Sequence, residues 1–205
     1  GRVYVYACGP GFDTTPDLIL STVPQDQFGV VVGALGDVDG DGWGDLGVSS
    51  IKWTGYSAEY SRVYVYRGGP ALDGVADLLI EDTLDPFFFG TQLLGPGDVT
   101  GDGYDDFLVS NAYRNGEQGR VYLFQGGPGL DNMVDSFFDN PEAYGHFGRC
   151  MAPAGDFNAD GHAEFAIAAP YSGLGGGYAG RFWVLEASLT EIAAQPPATC
   201  ITPAH

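Results

Sequence analysis

Phe28-Gly29-Val-Val-Val-Gly-Ala-Leu-Gly36-Asp37-Val-Asp39-Gly-Asp41-Gly-Trp43-Gly-Asp45 is an apolar run that ends in a turn crowded with aspartates and glycines. The phrase returns as Phe89-Gly90 to Gly97, then Asp98-Val-Thr100-Gly-Asp102-Gly-Tyr104-Asp-Asp106. It returns again as Phe147-Gly148 to Gly155, then Asp156-Phe-Asn158-Ala-Asp160-Gly-His162-Ala-Glu164. A second phrase keeps step with it: Arg2-Val-Tyr-Val-Tyr6, Arg62-Val-Tyr-Val-Tyr66, Arg120-Val-Tyr-Leu-Phe124 and Arg181-Phe-Trp-Val-Leu185. The first phrase is spaced by 61 and 58 residues, the second by 60, 58 and 61. Two independent phrases with one period mark internal repeats.

Each period reads as strand. Val30 to Leu35 and Asp45 to Ser50 are apolar-rich runs, Arg62 to Tyr66 alternates bulky side chains, and Asp77 to Ile80 begins a fourth strand. Gly68-Gly69-Pro70 and its like punctuate between them, and no helical period is legible. Four short strands per period of about 60 residues predict an all-β chain of propeller blades, about three and a half of them. With strands A to D counted from each Phe-Gly, the expected segments are a partial blade at 1–23 and blades at 28–84, 89–138 and 147–187. A tail follows at 188–205.

Each A–B connection is a nine-residue loop with oxygen side chains at positions 1, 3, 5 and 9. They are Asp37, Asp39, Asp41 and Asp45; Asp98, Thr100, Asp102 and Asp106; Asp156, Asn158, Asp160 and Glu164. Glycine at position 6 permits the sharp turn, and position 7 (Trp43, Tyr104, His162) can offer its backbone carbonyl. Calcium takes six to eight hard oxygen ligands, so three Ca²⁺ sites are expected. An EF-hand opens in the same way but needs a bidentate Glu at position 12 and flanking helices. Position 12 here is Val48, Val109 or Ile167, and the flanks read as strands.

The chain carries 27 acidic and 8 basic residues among its 205, a formal charge of −19, which opposes binding to nucleic acid. Its 44% apolar content suits a folded core. No apolar run reaches the roughly 18 residues a membrane span needs. No signal peptide is legible, and Gly1 to Tyr6 already reads as strand, which fits a start inside a longer precursor. Cys8, Cys150 and Cys200 allow at most one internal disulfide, its pairing open.

The Phe-Gly opening, the aspartate-rich loop and the Ala168-Ala-Pro170 ending resemble the FG-GAP repeats of the integrin α-subunit propeller, over about residues 28 to 186 and the opening strands. The resemblance implies a propeller of about seven blades, calcium in the A–B hairpins, and non-catalytic adhesion or recognition at the cell surface or outside the cell. Thr100 and Asn158 stand where the family pattern has a carboxylate, and Ser49-Ser50 and Ser110-Asn111 replace its Ala-Pro ending. By carboxylate count, loop one is expected to bind calcium most tightly.

The phenylalanines of Phe-Gly are expected between blades, with the glycines allowing close approach. The arginines that open strand C are expected to pair with acidic residues. Cys150 is expected as a buried small residue, and the ring of His162 as incidental to its loop. No Gly-x-Ser-x-Gly turn exists. The variable B–C loops carry Trp53, Tyr56, Tyr60, Tyr113, Arg114, Tyr171 and Tyr178 on the face opposite the aspartate loops. Such residues suit a protein or carbohydrate ligand as well as packing between loops. A lectin-like propeller, or an accessory propeller of a larger secreted hydrolase, are the alternative readings. Three and a half blades leave a ring open. Either two copies form a homodimer of six or seven blades, or the chain is a fragment of a longer one.

Overall fold

The computed structural model describes residues 1–6, 13–22, 26–54, 57–70, 72–82, 85, 87–140, 143–173 and 179–186, with 54 and 57–59 by backbone alone. Strands β1 (Arg2–Val5) and β2 (Leu18–Ser21) form a two-stranded antiparallel sheet. Strands β3 (Val32–Gly36), β4 (Asp45–Thr54), β5 (Ser57–Tyr66) and β6 (Leu78–Glu81) form the next, paired in chain order. Strands β7 (Gln92–Gly97), β8 (Asp106–Asn111), β9 (Arg120–Phe124) and β10 (Ser136–Asp139) repeat that order. Strands β11 (Cys150–Gly155), β12 (Glu164–Ala169) and β13 (Arg181–Leu185) form a three-stranded sheet. Four antiparallel meanders built on one repeat are the blades of a propeller. A single turn, α1 (Arg114–Glu117), left-handed at Asn115, Gly116 and Glu117, sits between β8 and β9.

The core lies between sheets. One cluster joins Leu20 to Phe28, Val48 and Tyr66, with Val3 and Val5 against it. A second joins Leu35, Val63 and Val65 to Phe89, Phe107 and Phe124. A third joins Val99, Leu108 and Leu123 to Phe147, Phe165 and Ile167. Each cluster draws on two successive blades, so a blade buries its apolar faces only by stacking on its neighbours. The three Phe-Gly phenylalanines are buried at the seams, one in each cluster. Their glycines have positive φ, and at Gly90 (φ 83°) an added Cβ would lie 2.8 Å from Val63 Cγ2 and 2.9 Å from Ser49 Cβ of the preceding blade.

The strand-C arginines hold the outer edges. Arg62 lies opposite Glu81 and pairs with it. Arg120 lies opposite Asp139 and is bidentate, with Nε to Oδ1 and Nη2 to Oδ2 both at 2.6 Å.

The structure departs from the sequence expectations in three places. Strand A of the first full blade starts at Val32, not Val30, because Phe28 and Gly29 occupy a turn. The first B–C loop is instead an extension of its hairpin. β4 and β5 stay paired to Thr54↔Ser57, with an irregularity at Lys52/Trp53, so Trp53 and Tyr60 stand on strands. Cys150 is exposed, not buried: it opens β11, which bonds to β12 alone and keeps much of its surface open. The tail at 188–205 lies outside the described residues, as do Cys8 and Cys200.

Substituting Gly90→Ala would force a left-handed alanine into the Val63–Ser49 wall. We expect a loss of about 2–4 kcal/mol, measured by urea unfolding; an unchanged midpoint would show that the seam relaxes.

Candidate metal centre

The three aspartate loops connect β3 to β4, β7 to β8 and β11 to β12. Their backbone is organised by the first aspartate. In loop one, Asp37 Oδ1 accepts from the N–H groups of Gly40 (2.9 Å) and Asp41 (3.0 Å), and Oδ2 accepts from Gly42 (2.8 Å). Asp98 does the same toward Gly101, Asp102 and Gly103, and Asp156 toward Asp160 and Gly161. At position 5, Asp41, Asp102 and Asp160 each accept from the N–H two residues on. The loops are therefore stacked Asx-type turns whose side chains face inward.

Position 9 fastens each loop to its blade. Asp45 accepts from Val38 N–H (2.8 Å) and from Gly68 N–H (2.7 Å) at the C–D turn. Asp106 accepts from Val99, Thr100 and Gly126, each at 3.0 Å. Glu164 accepts from Phe157 through Oε2, and its buried Oε1 has no hydrogen-bond partner among the described residues. Thr100 Oγ1, at position 3 of loop two, is likewise buried without a partner.

Carboxylate oxygens of Asp37, Asp39 and Asp45 lie within 4.8 Å of one another, as do those of Asp156, Asp160 and Glu164. Loop two, with Thr100 in place of a carboxylate at position 3, forms no such group among the described residues. Asp41 lies outside the loop-one group. In loop three Asp160 joins instead, and Asn158 bridges through its amide to Asp160 (2.8 Å) and Glu186 (3.2 Å). Arg67 Nε comes within 3.4 Å of Asp39 and offsets part of the loop-one charge.

Burial raises the carboxyl of Asp45. Burial pushes Asp106 up to about 6, against the pull of the Gly126, Val99 and Thr100 N–H groups. Asp160 is held below its ordinary value by the His162 N–H and the Asn158 amide. The donor set is all oxygen, matching a hard cation such as calcium. Glu164 Oε1 and Thr100 Oγ1 are the buried acceptors such an ion would satisfy.

The position-7 rings do more than the sequence suggested. A Cβ on Gly40 would lie 2.5 Å from Tyr104 Cε1, and one on Gly101 would lie 2.1 Å from His162 Cε1. Each ring thus covers the position-4 glycine of the preceding loop, and the ring of His162 is a seam element, not an incidental one.

On the opposite face, Trp53, Tyr113 and Tyr171 are joined by two rings that sequence reasoning missed. The line runs Trp53–Phe88 (6.0 Å between centroids), Phe88–Tyr113 (4.8 Å), Tyr113–His146 (5.0 Å) and His146–Tyr171 (4.9 Å). Phe88 (φ 62°) and His146 (φ 53°) are each the residue before a Phe-Gly pair, and their left-handed backbone accompanies this placement. The signal was that position. Tyr60 is overlaid by Arg62 at 4.0 Å. Arg114 is turned inward to Asp82 and to the Tyr122 hydroxyl (2.8 Å). Tyr56 and Tyr178 lie outside the described residues.

The FG-GAP repeat family matches residues 89–124 and 152–185. Over 115 residues the chain is 33% identical to integrin alpha-5 of Xenopus laevis, covering 53% of this chain and 11% of that protein. It is 43% identical over 89 residues to integrin alpha-IIb of Mus musculus, covering 38% and 9%. Against integrin alpha-4 of Xenopus laevis it is 26% identical over 181 residues, covering 82% and 17%. The matched stretches thus span between 9% and 17% of these relatives. Residues 89–124 and 152–185 are thus FG-GAP repeats, set among antiparallel propeller blades, and the sequence is similar to that of integrin alpha subunits.

Proposed function

We propose that this chain is a calcium-binding, non-catalytic propeller segment that serves recognition or adhesion at the cell surface. The observation that carries the calcium reading is the convergence of Asp156, Asp160 and Glu164, with Glu164 Oε1 fully buried and without a partner among the described residues. A buried carboxylate oxygen left without a partner is costly unless a cation faces it. Asp37, Asp39, Asp41 and Asp45 with the Trp43 carbonyl would hold one ion. Asp98, Thr100, Asp102 and Asp106 with the Tyr104 carbonyl would hold the second, and Asp156, Asn158, Asp160 and Glu164 with the His162 carbonyl the third. Loop one, with four carboxylates, ranks first. When bound, calcium supplies positive charge that relieves carboxylate repulsion; three ions would move the formal charge from −19 to about −13 (−19 + 6).

The loop carboxylates are committed to backbone N–H groups, which supports structural rather than catalytic use. The line of rings from Trp53 to Tyr171 gives the opposite face an aromatic ridge, with Arg149 over Tyr113 and Tyr171, and with Trp53 37% and Tyr171 41% exposed. We assign protein recognition to that ridge, as the similarity to integrin alpha subunits supports; carbohydrate binding is the alternative. The greater length of the relatives favours further repeats of the same polypeptide over a homodimer as the source of closing blades.

Calcium at a hundred times its Kd adds about 2.7 kcal/mol per site. Chelator-stripped protein should therefore gain roughly 5–10 °C in Tm for each occupied site when calcium is restored; coincident melting curves would defeat the calcium reading. For the ridge, Trp53→Ala and Tyr171→Ala should lower binding to immobilised extracellular-matrix proteins well beyond what the modest drop in Tm from their lost ring contacts accounts for, read at a temperature where both variants stay folded. Binding confined to a glycan array would favour the carbohydrate reading.

Titration adds an internal check on the metal-free protein. A carboxyl raised to about 6 holds its proton more tightly folded than unfolded. Its contribution therefore favours the fold at low pH and is lost as pH rises from about 4 through about 6. In calcium-free buffer, Asp106→Asn should remove that downward step relative to the parent chain in urea unfolding; parallel stability profiles would contradict it.

A further inference from the structure

Loop one is held from outside its own blade. The Asp37 N–H donates to Asp105 Oδ2 at 2.9 Å, and the Asp105 N–H donates back to the Asp37 carbonyl at 3.2 Å, across 68 residues of chain. The next residue is gripped as well: Gly127 N–H, at the C–D turn of the second full blade, donates to the Val38 carbonyl at 2.7 Å. The Tyr104 ring closes over Gly40. The approach is so close that a Cβ on Gly36 would lie 2.3 Å from Asp105 Oδ2. Asp37 and Val38 are thus fixed at the root of loop one by the following blade, while Asp37's own carboxylate faces into the loop. Asp105 occupies position 8, outside the alternating ligand set, and nothing in the ligand pattern accounts for a carboxylate there.

The next seam supplies a comparison. Ala163 N–H donates to the Asp98 carbonyl at 2.9 Å, the same backbone bond, but position 8 is alanine and the carboxylate tie is missing. Loop two also lacks a carboxylate at position 3 and is the one whose carboxylates do not converge among the described residues, whereas loop three converges with no such tie among them, so the tie's role rests on its own geometry at loop one. Loop one has both the tie and a converged carboxylate group.

We infer that Asp105 is a positioning residue for the loop-one cation site: its side-chain oxygen anchors the Asp37 backbone, so the site is completed by the neighbouring blade. The inference rests on the calcium reading above. It makes cation binding at loop one and docking of the two blades a single linked event.

The test uses the full chain and Tb³⁺ as the probe, with Ca²⁺ as competitor. Trp43 is position 7 of loop one, whereas Trp53 sits toward the far end of β4 and Trp183 within β13. Terbium emission excited through tryptophan therefore reports loop one, and Asp37→Ala should abolish it. Asp105→Ala should weaken Tb³⁺ and Ca²⁺ at this site about tenfold, the worth of one charge-assisted hydrogen bond. Two further variants separate geometry from charge without removing the side chain. Asp105→Asn keeps an acceptor oxygen and should bind close to the parent value. Asp105→Glu keeps the charge but displaces it by one methylene and should bind weakly. Parent-like affinity in Asp105→Ala, or strong binding by Glu with weak binding by Asn, overturns the positioning role while leaving the calcium reading intact. Absence of any Asp37-dependent emission in the parent chain overturns both.

Discussion

The hydrogen bonds from a loop's backbone to its first aspartate are what the rest of the structure depends on. Asp37, Asp98 and Asp156 each gather successive N–H groups of their loops. That fold-back turns the remaining oxygens inward and brings carboxylates together in loops one and three. Charges so placed repel one another, and burial disfavours the charged form further: the Asp45 carboxyl is raised by burial and by its neighbours Asp39 and Asp37. A hard divalent ion, as proposed above, would resolve the conflict. The position-9 carboxylate then carries the loop's geometry to the C–D turn through Gly68 or Gly126.

The loops also reach across seams. A blade has no private core; its Phe-Gly phenylalanine and the strand faces around it are buried only against the blade before it. Backbone bonds from position 8 to position 1, and rings over the position-4 glycines, add a second set of contacts at the loop end. The aspartate loops and the apolar seams therefore support each other. At the opposite end, a line of aromatic rings crosses the same seams and leaves Trp53 and Tyr171 at the surface.

Much of this was legible in the sequence, because repetition multiplies weak signals. One aspartate-rich turn is ambiguous, whereas three in register with Phe-Gly and the Arg-Val-Tyr strands fix the blade and its loop. The arginine pairs with Glu81 and Asp139 follow from strand register alone. What stayed hidden depends on contacts between periods. Asp105 and the Tyr104 and His162 rings act on the preceding blade, about sixty residues away, and no spacing within one loop reveals them. Cys150 was misread because innermost-strand burial depends on what stands beside β11. The Trp53–Tyr60 stretch was misread because β-formers on both sides extended the hairpin through an expected loop.

The most direct measurement is an anomalous difference map from crystals grown with calcium. We expect three peaks, beside Asp37, Asp98 and Asp156, each ringed by oxygens at about 2.3–2.6 Å, with the strongest at loop one. Featureless maps at all three positions, with the loop backbone unchanged, would mean that the aspartates organise turns and nothing more.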